Sequence, residues 1–120
     1  MKINNVEFIK VRDAKVGETG WAYIKGDDII LDNDFKRIKR FSRLTLDDNN
    51  NVVDFKFIDE FDNEPDTRIE QLKALVGRKV EAKAGEGEIV GVDEFSIRAE
   101  VKFDNDIKHW NLPTVLDHLI

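Results

Sequence analysis

The chain has 120 residues, with 19 Lys and Arg against 25 Asp and Glu and a formal charge of −6, a length that fits one compact domain or two very small ones. Counting glycine, its apolar fraction is about 47%, inside the globular range of about 45–50%, which excludes wholesale disorder. It contains no cysteine, which excludes disulfides, thiolate metal sites, iron–sulfur clusters and cysteine nucleophiles, and no apolar run approaches the roughly 20 residues of a membrane span.

Through residues 6–57, short apolar stretches of period near two are each closed by a Gly, Asp and Asn cluster, the pattern of an antiparallel sheet. Strands are expected at 6–12, 21–25, 29–32, around 38–46, and at 52–58, with a hairpin turn at Asp47-Asp48-Asn49-Asn50-Asn51. In the last strand Val53, Phe55 and Phe57 share a face that should meet a core, while Asp54 and Lys56 share the other. The period then changes. Ile69, Leu72, Leu75 and Val76 form one helical face over 67–76, with Pro65 just outside. Thr67 and Glu70 have capping-box spacing, with Asp66 the alternative cap, and Gly77 stands at the expected left-handed C-terminal position.

Between these regions Asp59, Glu60, Asp62, Glu64 and Asp66 put five carboxylates into eight positions, an acidic surface and the best linker in the chain. After the helix, strands are expected at 80–84, 89–92 and 95–103, then 107–112, with a helical turn behind Pro113. Segment 95–103 alternates throughout: Phe95, Ile97, Ala99, Val101 and Phe103 against Ser96, Arg98, Glu100 and Lys102. The fold class is therefore mainly β (α+β): two related small antiparallel β-barrel-like halves, residues 1–64 and 65–120, with one central helix at about 67–76.

The halves also match each other. Lys15-Val16-Gly17-Glu18-Thr19-Gly20 faces Lys83-Ala84-Gly85-Glu86-Gly87, and Asp32-Asn33-Asp34-Phe35-Lys36 faces Asp104-Asn105-Asp106-Ile107-Lys108 with four identities. An internal repeat and convergent turn chemistry both account for this. The second half, residues 79–120, resembles the SH3-like small β-barrels of the KOW and Tudor type. The resemblance is carried by Gly85-Glu86-Gly87-Glu88-Ile89-Val90-Gly91-Val92, the strand ending Val101-Lys102-Phe103-Asp104, and Trp110-Asn111-Leu112-Pro113. The repeat extends it to residues 10–58. It implies a partner-binding module rather than an enzyme. Such a barrel needs a further strand beyond Ile120, which the first half would supply by fusing the two into one domain.

Chemistry concentrates at Lys36, Arg37, Lys39, Arg40 and Arg43, five cations in eight residues, with Phe41 among them. One reading has the cations neutralise phosphates while Phe41 stacks on a base. The competing reading pairs them with carboxylates at Asp27, Asp28, Asp32 and Asp34 or with the acidic run. Residues 1–64 hold 11 cations against 14 anions and residues 65–120 hold 8 against 11, so each half carries −3 and no broad footprint for duplex DNA exists. Trp21 and Tyr23 on one strand face, and Trp110, offer an aromatic groove or, more commonly, core packing.

Catalytic residues are not expected. His109 and His118 stand in no recognisable constellation, Ser42 and Ser96 lack the glycines of a nucleophile elbow, and Gly85-Glu86-Gly87 leads into a strand rather than a phosphate-binding helix. No metal is expected either, because the two Asp-Asn-Asp turns lack the Gly and final Glu of a calcium loop. No cofactor is implied. The opening Met1-Lys2-Ile3-Asn4-Asn5 lacks the apolar core of a signal peptide. Taken together these features point to a cytoplasmic, non-enzymatic protein-interaction module, regulatory or inhibitor-like, of bacterial or phage type by its Asn-, Asp-, Lys- and Ile-rich usage, with another protein as partner and no membrane contact. The alternative is a single-stranded nucleic-acid binder using 36–43. A third reading has the acidic surface occupy a partner's nucleic-acid site.

Overall fold

The alternating segments become a mainly β structure of two antiparallel sheets and two short helices in the computed structural model, which describes residues 1–58 and 67–120. The chain divides into two units, Met1–Pro65 and Asp66–Ile120, and each holds its own sheet.

In the first unit β1 (Lys2–Ile3), β2 (Val6–Asp13), β3 (Glu18–Lys25), β4 (Asp28–Leu31), β5 (Ser42–Leu46) and β6 (Val52–Phe57) pair with their sequence neighbours in chain order. Alternation sends Val11, Ala22, Leu31 and Leu44 to one face, where Phe35 and Ile38 complete a buried cluster. A smaller cluster, Ile30 and Ile58 with Tyr23 and Phe41, is packed separately. The turn at Asp47 forms as expected: its carboxylate accepts from the backbone N–H groups of Asn49 and Asn51, both at 2.9 Å.

The expected strand at 38–46 starts only at Ser42. Residues 32–41 instead cross over the sheet as an irregular loop, because Phe35 and Ile38 are drawn into the core and a straight strand cannot bury both beside their charged neighbours. β6 also departs from expectation. Val53 is 61% exposed and Phe55 37% exposed, so the face expected to meet a core does not, and only Val52 of this strand packs on the main cluster. A register shift opposite Thr45 and Leu46 sets β6 off from regular alternation.

The second unit runs α1 (Arg68–Ala74), β7 (Lys79–Ala82), β8 (Gly85–Asp93), β9 (Arg98–Phe103), β10 (Asp106–Trp110) and α2 (Leu112–His118), with sheet order β10-β9-β8-β7. α1 lies against β8 and β9, and α2 against β7 and β9. Leu72, Leu75, Val80, Ile89, Ala99, Val101, Leu112, Val115 and Leu116 are buried there, each large side chain contributing about 1.5–3 kcal/mol. Thr67 occupies the N-cap of α1 without a side-chain capping bond, so the capping box does not form. Gln71, not Val76, completes the buried face, and Gly77 has the expected positive φ of 94°. α2 makes a second helix where only a turn was expected: Asn111 caps it by accepting from the Thr114 N–H at 3.1 Å, and Pro113 fits its first turn.

β9 begins at Arg98. Phe95 is fully exposed and Ile97 has φ 56°, so the unbroken alternation of 95–103 is interrupted by a turn over residues 94–97. A hairpin needs a reversal within that apolar run, and the Asp93 carboxylate supplies it by accepting from the N–H groups of Phe95 (3.0 Å) and Ser96 (3.3 Å).

Among the described residues neither sheet closes into a barrel, which corrects the expected β-barrel-like halves. Closure requires a ladder around the whole circumference. In the first unit β4 meets β5 at the single pair Ile30–Arg43, and β2 meets the start of β6 at the single bridge Arg12–Asn51. In the second, α2 consumes the chain after β10, and Leu119 reaches the free edge of β7 through one bridge to Val80. The two Asp-Asn-Asp motifs also differ in role. Asp104-Asn105 is the tight turn between β9 and β10, whereas Asp32-Asn33-Asp34 opens the crossover.

The units do share one packing device. A Cβ on Gly20 would stand 2.5 Å from the Phe35 ring, and one on Gly87 would stand 2.7 Å from the Phe103 ring, so each glycine is the seat of a phenylalanine. In urea unfolding, Gly87→Ala should therefore cost about 1–3 kcal/mol through the displaced ring. Ile89→Ala should cost about 2–5 kcal/mol, and Phe95→Ala should fall within about 0.5 kcal/mol of the parent. Equal losses at Ile89 and Phe95 would restore the uninterrupted strand.

Candidate functional site

The crossover carries the whole basic stretch. Its path is pinned by the Phe35 N–H to the Ile38 carbonyl (2.8 Å), the Arg40 N–H to the Asp34 carboxylate (2.8 Å) and the Phe41 N–H to the Leu31 carbonyl (3.0 Å). Phe41 takes φ 69°, a left-handed conformation that lets the chain turn back into β5. The Ser42 hydroxyl then donates to the Lys39 carbonyl at 2.7 Å.

Charge on this loop is largely spent internally. Arg37 forms a two-pronged pair with Asp13, Nε to Oδ2 at 2.9 Å and Nη2 to Oδ1 at 3.0 Å. Asp13 itself is fully buried on the inner face of β2, the same side as Val11. Bonding to Arg37 is the main cause that holds its carboxyl below the usual range, against the opposing effect of burial. Arg40 donates from Nε to the Asp32 carbonyl at 2.9 Å and lies 3.6 Å from the buried Asp32 carboxylate. Arg43 reaches Asp28 at 3.1 Å on the surface. Three of the five cations thus take the structural role foreseen for them, although Asp13 as the partner of Arg37 was not. Only its position two residues past buried Val11, in alternation, signalled a carboxylate on the core face.

Two cations lack a carboxylate partner among the described residues. Lys36 is exposed, its backbone N–H held by Glu18 at 2.8 Å, and Lys39 lies over the Phe57 ring at 5.3 Å. Arg37 also stands 5.6 Å from the Phe55 ring centre, and Arg40 4.1 Å from that of Phe41. Phe55 and Phe57, expected in the core, therefore form an aromatic floor under two cations. Phe41 is half-buried and belongs to the small cluster.

Trp21 and Tyr23 are half-buried. Lys10 lies 5.1 Å over Trp21, and Tyr23 meets Phe8 edge-on at 6.3 Å. Ladder pairing extends this row across the sheet as Phe8, Tyr23, Ile30, Arg43 and Lys56, all on one face. Trp110 packs on Phe103 at 5.5 Å and on His118 at 4.9 Å, closing the top of the second unit's core. His118 is tied through Nδ1 to the Thr114 carbonyl at 2.8 Å, and His109 lies 3.9 Å from Glu100. The acidic surface of Asp59, Glu60, Asp62, Glu64 and Asp66 lies outside the described residues.

Among the described residues no three His, Asp or Glu side chains are arranged to hold a metal ion, and no helix is long and apolar enough to cross a membrane. Comparison of the chain with protein-family models, with curated proteins and with solved structures finds no match.

The buried pair makes stability acid-sensitive. Asp13 has a lower pKa folded than unfolded, so its contribution is complete above its ordinary value of about 3.9 and is lost as pH falls through the folded value. Thermal unfolding followed from pH 6 to 2 should show this loss in the parent. Asp13→Asn should unfold at lower temperature at pH 6 and show a flatter acid limb. An unchanged limb would mean that other carboxylates dominate.

Proposed function

We propose that the chain is a non-enzymatic protein-interaction module. The observation that carries this reading is the inverted use of its residues: Arg37, Arg40 and Arg43 are paired with carboxylates of the chain itself, while Val53 and Phe95 stand in solvent at 61% and 100% exposure. Cations already neutralised release little on meeting a polyanion. Apolar side chains held in water give their free energy on association. The SH3-like resemblance of 79–120 runs in the same direction, supported by the order of a four-stranded meander, a helix and Leu119 bridged to Val80 of β7.

One observation favours the second reading, a single-stranded nucleic-acid binder. Tyr23, Arg43 and Lys56, with Lys10 over Trp21, put aromatic and cationic groups on one sheet face, the two kinds of group that base-stacking platforms combine. Asp28, paired with Arg43, and a formal charge of −6 oppose it.

The readings separate by retention of fluorescent single-stranded RNA and DNA at about 150 mM salt, where the Debye length is about 8 Å. The expected outcome is no retention. Tight, salt-sensitive retention, abolished by Lys10→Gln with Lys56→Gln or by Lys36→Gln with Lys39→Gln, would promote the second reading. These four lysines are chosen because none forms the Asp13, Asp32 or Asp28 pairs, so the fold is kept.

A further inference from the structure

β6 is the last strand of its sheet and lies open along one side. Beyond the bridge of Arg12 to Asn51 at its foot, it pairs only with β5 among the described residues, and Val53, Asp54, Phe55 and Lys56 are all exposed. The Ile58 N–H donates to the Phe41 carbonyl at 3.1 Å. Because backbone donors alternate in direction along a strand, Asp54 and Lys56 turn theirs to β5 as well, while Phe55 and Phe57 turn theirs to the open edge. The Phe55 N–H accordingly meets the carboxylate of its neighbour Asp54, at 2.9 Å, and no strand. An edge of this kind is a template for another strand.

The sequence of β6 selects which strand. Val53-Asp54-Phe55-Lys56-Phe57 is complementary to itself when reversed about Phe55. An antiparallel copy centred there sets Phe55 opposite Phe55 and Val53 opposite Phe57, and it sets Asp54 opposite Lys56 on both sides of the centre. The backbone agrees with this register, since Phe55 presents its N–H and C=O outward and the central pair is then a hydrogen-bonded one. Asp54 and Lys56 form no ion pair with the described residues of their own chain, so each keeps its charge for the opposite strand. β10, the edge strand of the other sheet, lacks this property: reversed about Lys108 it sets Lys108 against itself.

We propose that β6 pairs antiparallel with β6 of a second copy of the chain, joining their two six-stranded sheets across a two-fold axis at Phe55. This inference rests on the interaction-module reading and names a partner for that module. On pairing, the Phe55 N–H passes from Asp54 to the carbonyl of the partner's Phe55, and the freed carboxylate meets the partner's Lys56 as an opposite-charge cross-strand pair. The contact is isologous and closed, because each copy spends its β6 edge on the other. Its strand pairing is short beside the roughly 20–30 residues a side of a standard interface, so the dimer should form reversibly.

The test is sedimentation velocity on the full chain from low micromolar to millimolar concentration, where the mass should rise from 13.9 kDa toward twice that value. Asp54→Lys and Lys56→Asp each place like charges opposite one another and should each weaken the dimer at least tenfold, whereas the double exchange should restore it. Circular dichroism and urea midpoints equal to the parent's would show that these variants remain folded. The chain has no cysteine, so oxidation reads the register. Phe55→Cys should yield a disulfide-linked dimer, since hydrogen-bonded cross-strand Cα atoms about 5.5 Å apart fall within the disulfide range of about 4.4–6.8 Å. Val53→Cys should crosslink to Phe57→Cys in a mixture but not to itself, because the pairing holds the two copies of position 53 about 13 Å apart. A constant monomer mass with no disulfide dimer from Phe55→Cys would overturn the inference. Joined to an absence of nucleic-acid retention, that result would leave the module reading standing; joined to tight retention, it would overturn both. A dimer indifferent to the charge exchanges, or Val53→Cys crosslinking to itself as readily as Phe55→Cys, would overturn the stated pairing.

Discussion

A carboxylate removed from water must be matched by a cation, and in the first unit that requirement organises the rest. Asp13 lies on the inner face of β2 with no access to solvent, where an unpaired charge would cost several kcal/mol. Arg37 meets it with two parallel hydrogen bonds, and to do so the crossover must lie over the sheet rather than continue as a strand. With the loop in that position, Phe35 covers Gly20 and Ile38 enters the cluster of Val11, Ala22, Leu31 and Leu44. The basic stretch is thus a clasp on the core. Its guanidinium groups are anchored from below, and the rings of Phe55 and Phe57 take the sides of Arg37 and Lys39.

The second unit solves a different problem. A 55-residue unit has little core to work with, and it fills that core from both helices and from the inner faces of β8 and β9. Phe103 over Gly87, with Trp110 and His118 stacked beyond, extends the apolar layer to the end of the sheet. Against this economy the full exposure of Phe95 stands out.

The acidic composition acts locally as well as globally. Carboxylates fix turns at Asp47 and Asp93, hold the loop through Asp34 and bind the arginines through Asp13, Asp28 and Asp32. Three cations of the basic stretch are therefore held in short pairs within the chain, and with a formal charge of −6 the stretch does not make a field that steers a polyanion.

The sequence by itself determined what depends on near neighbours: the mainly β class, the places of most strands though not their ends, the Asp47 turn, α1 with Gly77 behind it, and the existence of an apolar stripe at Ala99, Val101 and Phe103. Period two and turn chemistry are local, so they are visible in a single chain. Tertiary structure decided which apolar residues are used. Alternation marked both the 52–58 and 95–103 segments as core strands, yet Val53, Phe55 and Phe95 are exposed, because a face is buried only if another element arrives to cover it. It decided the fate of the basic stretch too, since the partner of Arg37 lies 24 positions away in sequence and no local pattern couples them. Barrel closure failed for the same reason: whether the last strand meets the first depends on where α2 and the crossover take the chain, and the sequence carries no periodic signal for that.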